Sequence, residues 1–189
     1  QERAFENAKM KVTEESIKEM VFKKGYSLES FSWFEETRGV SNRIARLKVR
    51  SSEGKGQRNM ILRIAGQHKF MKKFKTTLEV NTIKLVSIQT TVPVPNVIDF
   101  SNDQTTSPIG VEFILYEEIP GVTLADLLSS LKGDDDDYVV VVRKSIFKQL
   151  VGFIHQLQTI ELRGDASRLI GAFSYVSDGT SRGKSSLGF

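Results

Sequence analysis

GVEFILYEEIPGVTL, residues Gly110 to Leu124, decides how the chain is read. The residues from Val111 to Tyr116 are mostly apolar and strand-prone, and they predict a β-strand. Glu117 and Glu118 end the apolar run, and Pro120-Gly121 forms a corner through which no regular element continues. Thr123 then has the side chain of an N-cap for the short helix LADLLSSL. A strand that runs through two carboxylates into a corner and a helix is either a surface connection or a joint between two parts of the molecule. The stretch alone leaves both readings open.

Upstream, FSWFEE (Phe31 to Glu36) and NRIARLKVR (Asn42 to Arg50) both read as strands, the second alternating apolar Ile44, Leu47 and Val49 with basic residues. The link Arg38-Gly39-Val40-Ser41 between them predicts a hairpin. SSEGKGQR (Ser51 to Arg58) has loop composition, and NMILRIAG (Asn59 to Gly66) returns to a strand. HKFMKKFKTTLEVNTIKLVSIQ, His68 to Gln89, spaces Phe70, Phe74, Leu78, Ile83, Leu85 and Val86 as a long helix does. Pro93 and Pro95 then force an extended approach to the strand VIDF. At the N-terminal end, Met10, Ile17, Met20 and Val21 predict an amphipathic helix from Glu6 to Lys23, stopped by Gly25.

Downstream, the aspartates Asp134 to Asp137 precede VVVVRKSIFKQLVGFIHQLQTI, in which Val142, Ile146, Leu150, Phe153 and Leu157 form one stripe of a second long helix. The aspartates sit where the partial positive charge of a helix start favours them. From Arg163 onward the chain is rich in Gly and Ser and carries no periodic signal. The order is helix, three strands, helix, two strands, corner, helix, helix, which is an α+β class with an antiparallel sheet of five strands.

Composition narrows the chemistry. With no cysteine and only His68 and His155, the chain has no thiolate nucleophile and too few ligands for a zinc site of the usual kind. No run of residues is apolar over a membrane's thickness, so a cytoplasmic protein without membrane contact is expected. The net charge of +4 permits an anionic partner. HKFMKKFK, His68 to Lys75, is the densest basic stretch. Phe70 and Phe74 could stack on nucleic-acid bases there, but their four-residue spacing fits better a buried stripe with Lys69, Lys72, Lys73 and Lys75 facing water. His155, among Phe153, Ile154 and Leu157, reads as a partly buried structural histidine.

GVSN (Gly39 to Asn42), ILR (Ile61 to Arg63), the helical Glu79, VPVPNVIDF (Val92 to Phe100) and LYEEIPGVTL (Leu115 to Leu124), in this order, resemble the small lobe of the aminoglycoside phosphotransferase-like branch of the protein-kinase-like fold. The resemblance covers roughly residues 28 to 160. It implies three parts: an N-terminal helix over 1–27, a kinase-like nucleotide-binding small lobe over 28–118, and a hinge with a partial helical large lobe over 119–189. It also implies that the Glu117 C=O and the Ile119 N–H meet the base of ATP or GTP, so that the side chains at Glu117 and Glu118 can be polar. Tyr116 would stand at the back of that pocket. Gly39, Val40, Ser41 and Asn42 would cover the phosphates with backbone N–H groups and small side chains, although as an isolated stretch they read equally as an ordinary hairpin turn. Arg63 would hold the phosphates where the fold often has a lysine, with the Glu79 carboxylate orienting it. Taken alone, Arg63 and Glu79 read as a strand-surface arginine and a solvated helix glutamate.

Phosphoryl transfer in this fold further requires a catalytic Asp, an Asn and a second Asp that hold Mg²⁺. The family marks them with His-Gly-Asp followed several residues later by Asn. Arg163-Gly164-Asp165 is the nearest string, and Ile170 stands where the Asn is needed. The segment LIGAFSYV resembles what some fungal members place before their catalytic loop. The chain is therefore expected to be the front part of a small-molecule kinase that phosphorylates a hydroxyl, or a non-catalytic interaction module of that fold. In the second case exposed apolar helix faces should pair with another copy or a partner.

Overall fold

The computed structural model describes residues 12–34, 42–54, 56–65, 75–131 and 137–161. The first helix, α1, spans Glu14–Phe22. Thr13 is extended at φ −97°, ψ 160°, and caps it reciprocally with Ser16. Each side chain accepts from the other's backbone N–H, at 3.2 Å in both directions. Of the helix expected from Glu6 to Lys23, residues 6–11 lie outside the described residues, and the extended backbone at Thr13 sets the start of α1 at Glu14. Gly25, at φ 81°, ends the helix in the left-handed region that L side chains avoid. Its N–H donates to the Phe22 carbonyl.

Strand β1 spans Tyr26–Trp33, β2 Asn42–Ser51 and β3 Gln57–Ala65. Helix α2 spans Lys75–Gln89, and then come β4, Val97–Ser101, and β5, Phe113–Glu117. The sheet is antiparallel with the order β1-β2-β3-β5-β4. β1 starts earlier than the FSWFEE pattern predicts, because Tyr26 already pairs with Ser51 and the ladder runs to Trp33 opposite Ala45.

Pleating sorts the side chains. Ala45, Leu47 and Val49 of β2, Met60, Leu62 and Ile64 of β3, and Phe113 and Leu115 of β5 are fully buried on one face. Ile17, Met20 and Val21 of α1 join them in one cluster, with Tyr26, Leu28, Phe31 and Trp33 of β1 at its margin. Arg63 and Ile114, opposite each other across β3 and β5, therefore point to the other face.

The structure divides into two compact units. Among the described residues, one takes those up to Ile83 together with Pro95–Glu118, and the other takes Lys84–Val94 and residues 119–161. In the second unit, α3 spans Leu124–Ser130 and is capped by Thr123, whose hydroxyl accepts from the Asp126 N–H at 3.1 Å. Helix α4 spans Asp137–Gln158, so the valine run is helical as its downstream periodicity predicts. Gln156 Oε1 accepts from the Thr91 N–H and hydroxyl at 2.7 and 2.9 Å, and the Glu161 N–H donates to Gln89 Oε1 at 3.0 Å. These bonds tie the end of α2 and the chain after it to the end of α4.

Of the α4 stripe, Val142, Ile146 and Phe153 are half-buried, while Leu150 and Leu157 are exposed. Val139 is the one buried residue of this helix, and Val141, Phe147, Val151 and Ile154 on its other sides are exposed. His155 is also exposed, against the expectation of partial burial. None of the described helices is long and apolar enough to cross a membrane.

Candidate functional site

On the sheet face away from α1, Arg63 and Glu79 meet. Both guanidinium ends of Arg63 donate to the carboxylate, Nη1 to Oε2 and Nη2 to Oε1, the latter at 2.7 Å. This is a two-pronged pairing of planar groups, which fixes orientation as well as charge. The Arg63 side chain is only 13% exposed and that of Glu79 35%. Their meeting follows from two periodicities. Alternation along β3 sends Leu62 and Ile64 to the α1 side and Arg63 to the other, and α2 brings Glu79 there beside the buried Thr76 and Val80.

Asn42, the first residue of β2, completes the group. Its Oδ1 accepts from Arg63 Nη2 at 3.0 Å and from Lys75 Nζ at 3.2 Å. The side chain of Asn42 is thus engaged with cations, whereas the resemblance assigned this segment's role to backbone N–H groups and small side chains. Lys75 is half-buried and bonded, not facing water as its place in HKFMKKFK suggested. Gly39, Val40 and Ser41 lie outside the described residues, as do His68, the basic residues Lys69, Lys72 and Lys73, and the Arg163-Gly164-Asp165 string.

Tyr116 lies across from Ile61 in the β3–β5 ladder. Burial holds its phenol above the ordinary value of 10.0, while the Arg63 charge pulls it down and that of Glu79 pushes it up again. Tyr116 is therefore within electrostatic reach of the pair and stays protonated near neutrality. Glu112, just before β5, is a member that no sequence pattern singles out. Its carboxyl is held above the usual 4.5 by burial, against the opposing pull of Thr76 and of the Lys75 charge. Glu112 Oε1 and Thr76 Oγ1 are both buried without a hydrogen bond.

The raised value for Glu112 gives a pH prediction. A carboxyl that binds its proton more tightly when folded carries no penalty below 4.5 and costs stability as pH rises through the folded value. Glu112→Gln is therefore expected to raise the melting temperature at pH 7 by about 1–2 °C, solvent screening limiting the effect. Below about pH 4 the two proteins should melt together. Thermal melts across that range check this, and an unchanged gap at low pH would refute the assignment.

Glu117 ends β5 and Glu118 follows it. The pleat sends them to opposite faces, and each meets an arginine. Arg58 Nη1 donates to Glu117 Oε1 at 2.8 Å, and Arg46 Nε and Nη2 donate to Glu118 Oε1 at 2.9 and 2.6 Å. Arg46 also lies 5.0 Å from the Phe34 ring centroid. Their main-chain N–H groups are occupied as well, that of Glu117 by the Asn96 carbonyl and that of Glu118 by the Asn59 carbonyl. The two carboxylates thus fasten the end of β5 to β2 and β3. Ile119 belongs to the second unit, where it is 59% exposed.

Among the described residues, no cluster of three His, Asp or Glu could hold a metal ion. Compared with family models, curated proteins and solved structures, the chain matches none.

Proposed function

We propose that this chain carries the nucleotide-binding part of an aminoglycoside phosphotransferase-like kinase that phosphorylates a hydroxyl of a small molecule with ATP or GTP. The observation that supports it is the two-pronged Arg63–Glu79 pair between the third strand of a five-stranded antiparallel sheet and the helix that follows. In this reading Glu79 holds the guanidinium of Arg63 in one orientation, and the outer edge of that group binds phosphate oxygens. Asn42 accepts from Lys75 as well as from Arg63, Tyr116 contributes a protonated phenol nearby, and the main chain at Glu117 and Ile119 takes the base.

A second reading, a non-catalytic interaction module of the same fold, is favoured by the exposed apolar residues of α4, among them Phe147 at 68% and Val141 at 63%. One titration separates the two. ATP at a hundredfold excess over its dissociation constant stabilises a binding protein by about 2.7 kcal/mol, a shift of several degrees. The wild type is expected to show that shift and Arg63→Ala to lose most of it, each measured against its own ligand-free melt. No shift in either, or equal shifts in both, removes the nucleotide role from Arg63 and leaves the interaction reading.

A further inference from the structure

We propose that Lys75 is a second phosphate-binding cation, paired with Arg63 through Asn42 so that the site takes a polyphosphate chain and not a single phosphate. The inference rests on the nucleotide-binding reading above and extends it to a residue that the resemblance does not assign.

Two observations carry it. Lys75 Nζ and Arg63 Nη2 donate to the same oxygen, Asn42 Oδ1, at 3.2 and 3.0 Å, so two cationic nitrogens stand one oxygen atom apart. Bridging non-ester oxygens of neighbouring phosphates needs donors at about that spacing, one planar and one a mobile point charge. The charges are also unevenly matched. Both oxygens of Glu79 are taken by Arg63, while Lys75 faces a neutral amide oxygen. The charge of Lys75 also acts on the Glu112 carboxyl, whose ionised form burial disfavours.

A neutral amide is a weak partner for an ammonium group. An anionic phosphate oxygen displaces it readily, with Lys75 swinging on its flexible stem while Arg63 stays fixed by Glu79. The site therefore grades ligands by phosphate number: the nucleoside gains nothing from Lys75, and the triphosphate gains most.

Binding of adenosine, AMP, ATP, GTP and inorganic tripolyphosphate to the full chain tests this by calorimetry at fixed salt. Lys75→Met is expected to weaken ATP and tripolyphosphate about tenfold and leave adenosine unchanged. Lys75→Arg should restore most of the loss. Lys48→Met, which removes an exposed β2 lysine, controls for net charge and should track the wild type. Tripolyphosphate binding that is equal in wild type and Lys75→Met, with Arg63→Ala impaired, overturns this inference and leaves the nucleotide reading standing. Equal weakening of adenosine and ATP by Lys75→Met also overturns it, because it marks a structural defect. Wild type that binds tripolyphosphate but neither ATP nor GTP overturns the nucleotide reading alone, and wild type that binds none of the three overturns both.

Discussion

A Phe113→Ala chain is expected to lose about 3–5 kcal/mol of stability in the first unit. Phe113 is fully buried and begins β5, the strand that joins β3 to β4. It pairs with Ile64 on one side and Ser101 on the other, inside the cluster that α1 closes with Ile17, Met20 and Val21. Truncation removes the transfer energy of a benzyl group and leaves a void walled by strands that cannot collapse onto it independently. Since whole domains are held by about 5–15 kcal/mol, this change consumes a large fraction of the total. Trp33, the chain's single tryptophan, packs at the margin of the same cluster, so its fluorescence in urea reports this unit. Ile119→Ala, at an exposed site, should move the midpoint by no more than about 0.5 kcal/mol. A Phe113→Ala loss below about 1 kcal/mol would mean that β5 does not carry the core.

Strands, helices and their order were legible in the sequence because each is written in a local period. β2 alternates cleanly, and Pro93 with Pro95 can only be extended. Thr123 caps α3 as its side chain predicts. Boundaries were less legible where they depend on a partner, as with β1, which pairs with β2 from Tyr26 onward. The candidate site divides along the same line. Arg63, Glu79 and Asn42 were named for one site only through the resemblance, since no local pattern pairs them, and nothing singled out Lys75 to join them. That convergence is made by the β2–β3 register, which sets Asn42 opposite Ala65. The arginine partners of Glu117 and Glu118 were likewise invisible, since each sits on a neighbouring strand and not at a helical or turn spacing. Glu112 carries no pattern at all. Its burial is a tertiary property, and only its place beside Thr76 and Lys75 gives it one.

The Arg63–Glu79 pair should couple by about 1–2 kcal/mol in a double-mutant cycle. Arg63 is mostly buried, so Glu79→Ala leaves its charge with Asn42 Oδ1 as the hydrogen-bond acceptor already in place. Arg63→Ala strips Glu79 of both donors and leaves it near the Glu112 carboxyl, whose charge it opposes. Each single change is therefore expected to cost about 1–3 kcal/mol, the range for stranding one partner of a charged hydrogen bond. Removing both leaves no stranded charge, so the double variant should be more stable than the sum of the single losses implies. Salt separates this coupling from a surface ion pair. A pair with one member only 13% exposed should keep most of its coupling at 0.5 M salt, where an exposed pair such as Lys18–Glu14 is screened away. Single losses that simply add would show that the two residues do not depend on each other for orientation. Glu79 would then have no hold on the guanidinium, and the geometry that supports phosphate binding at Arg63 would lose its basis.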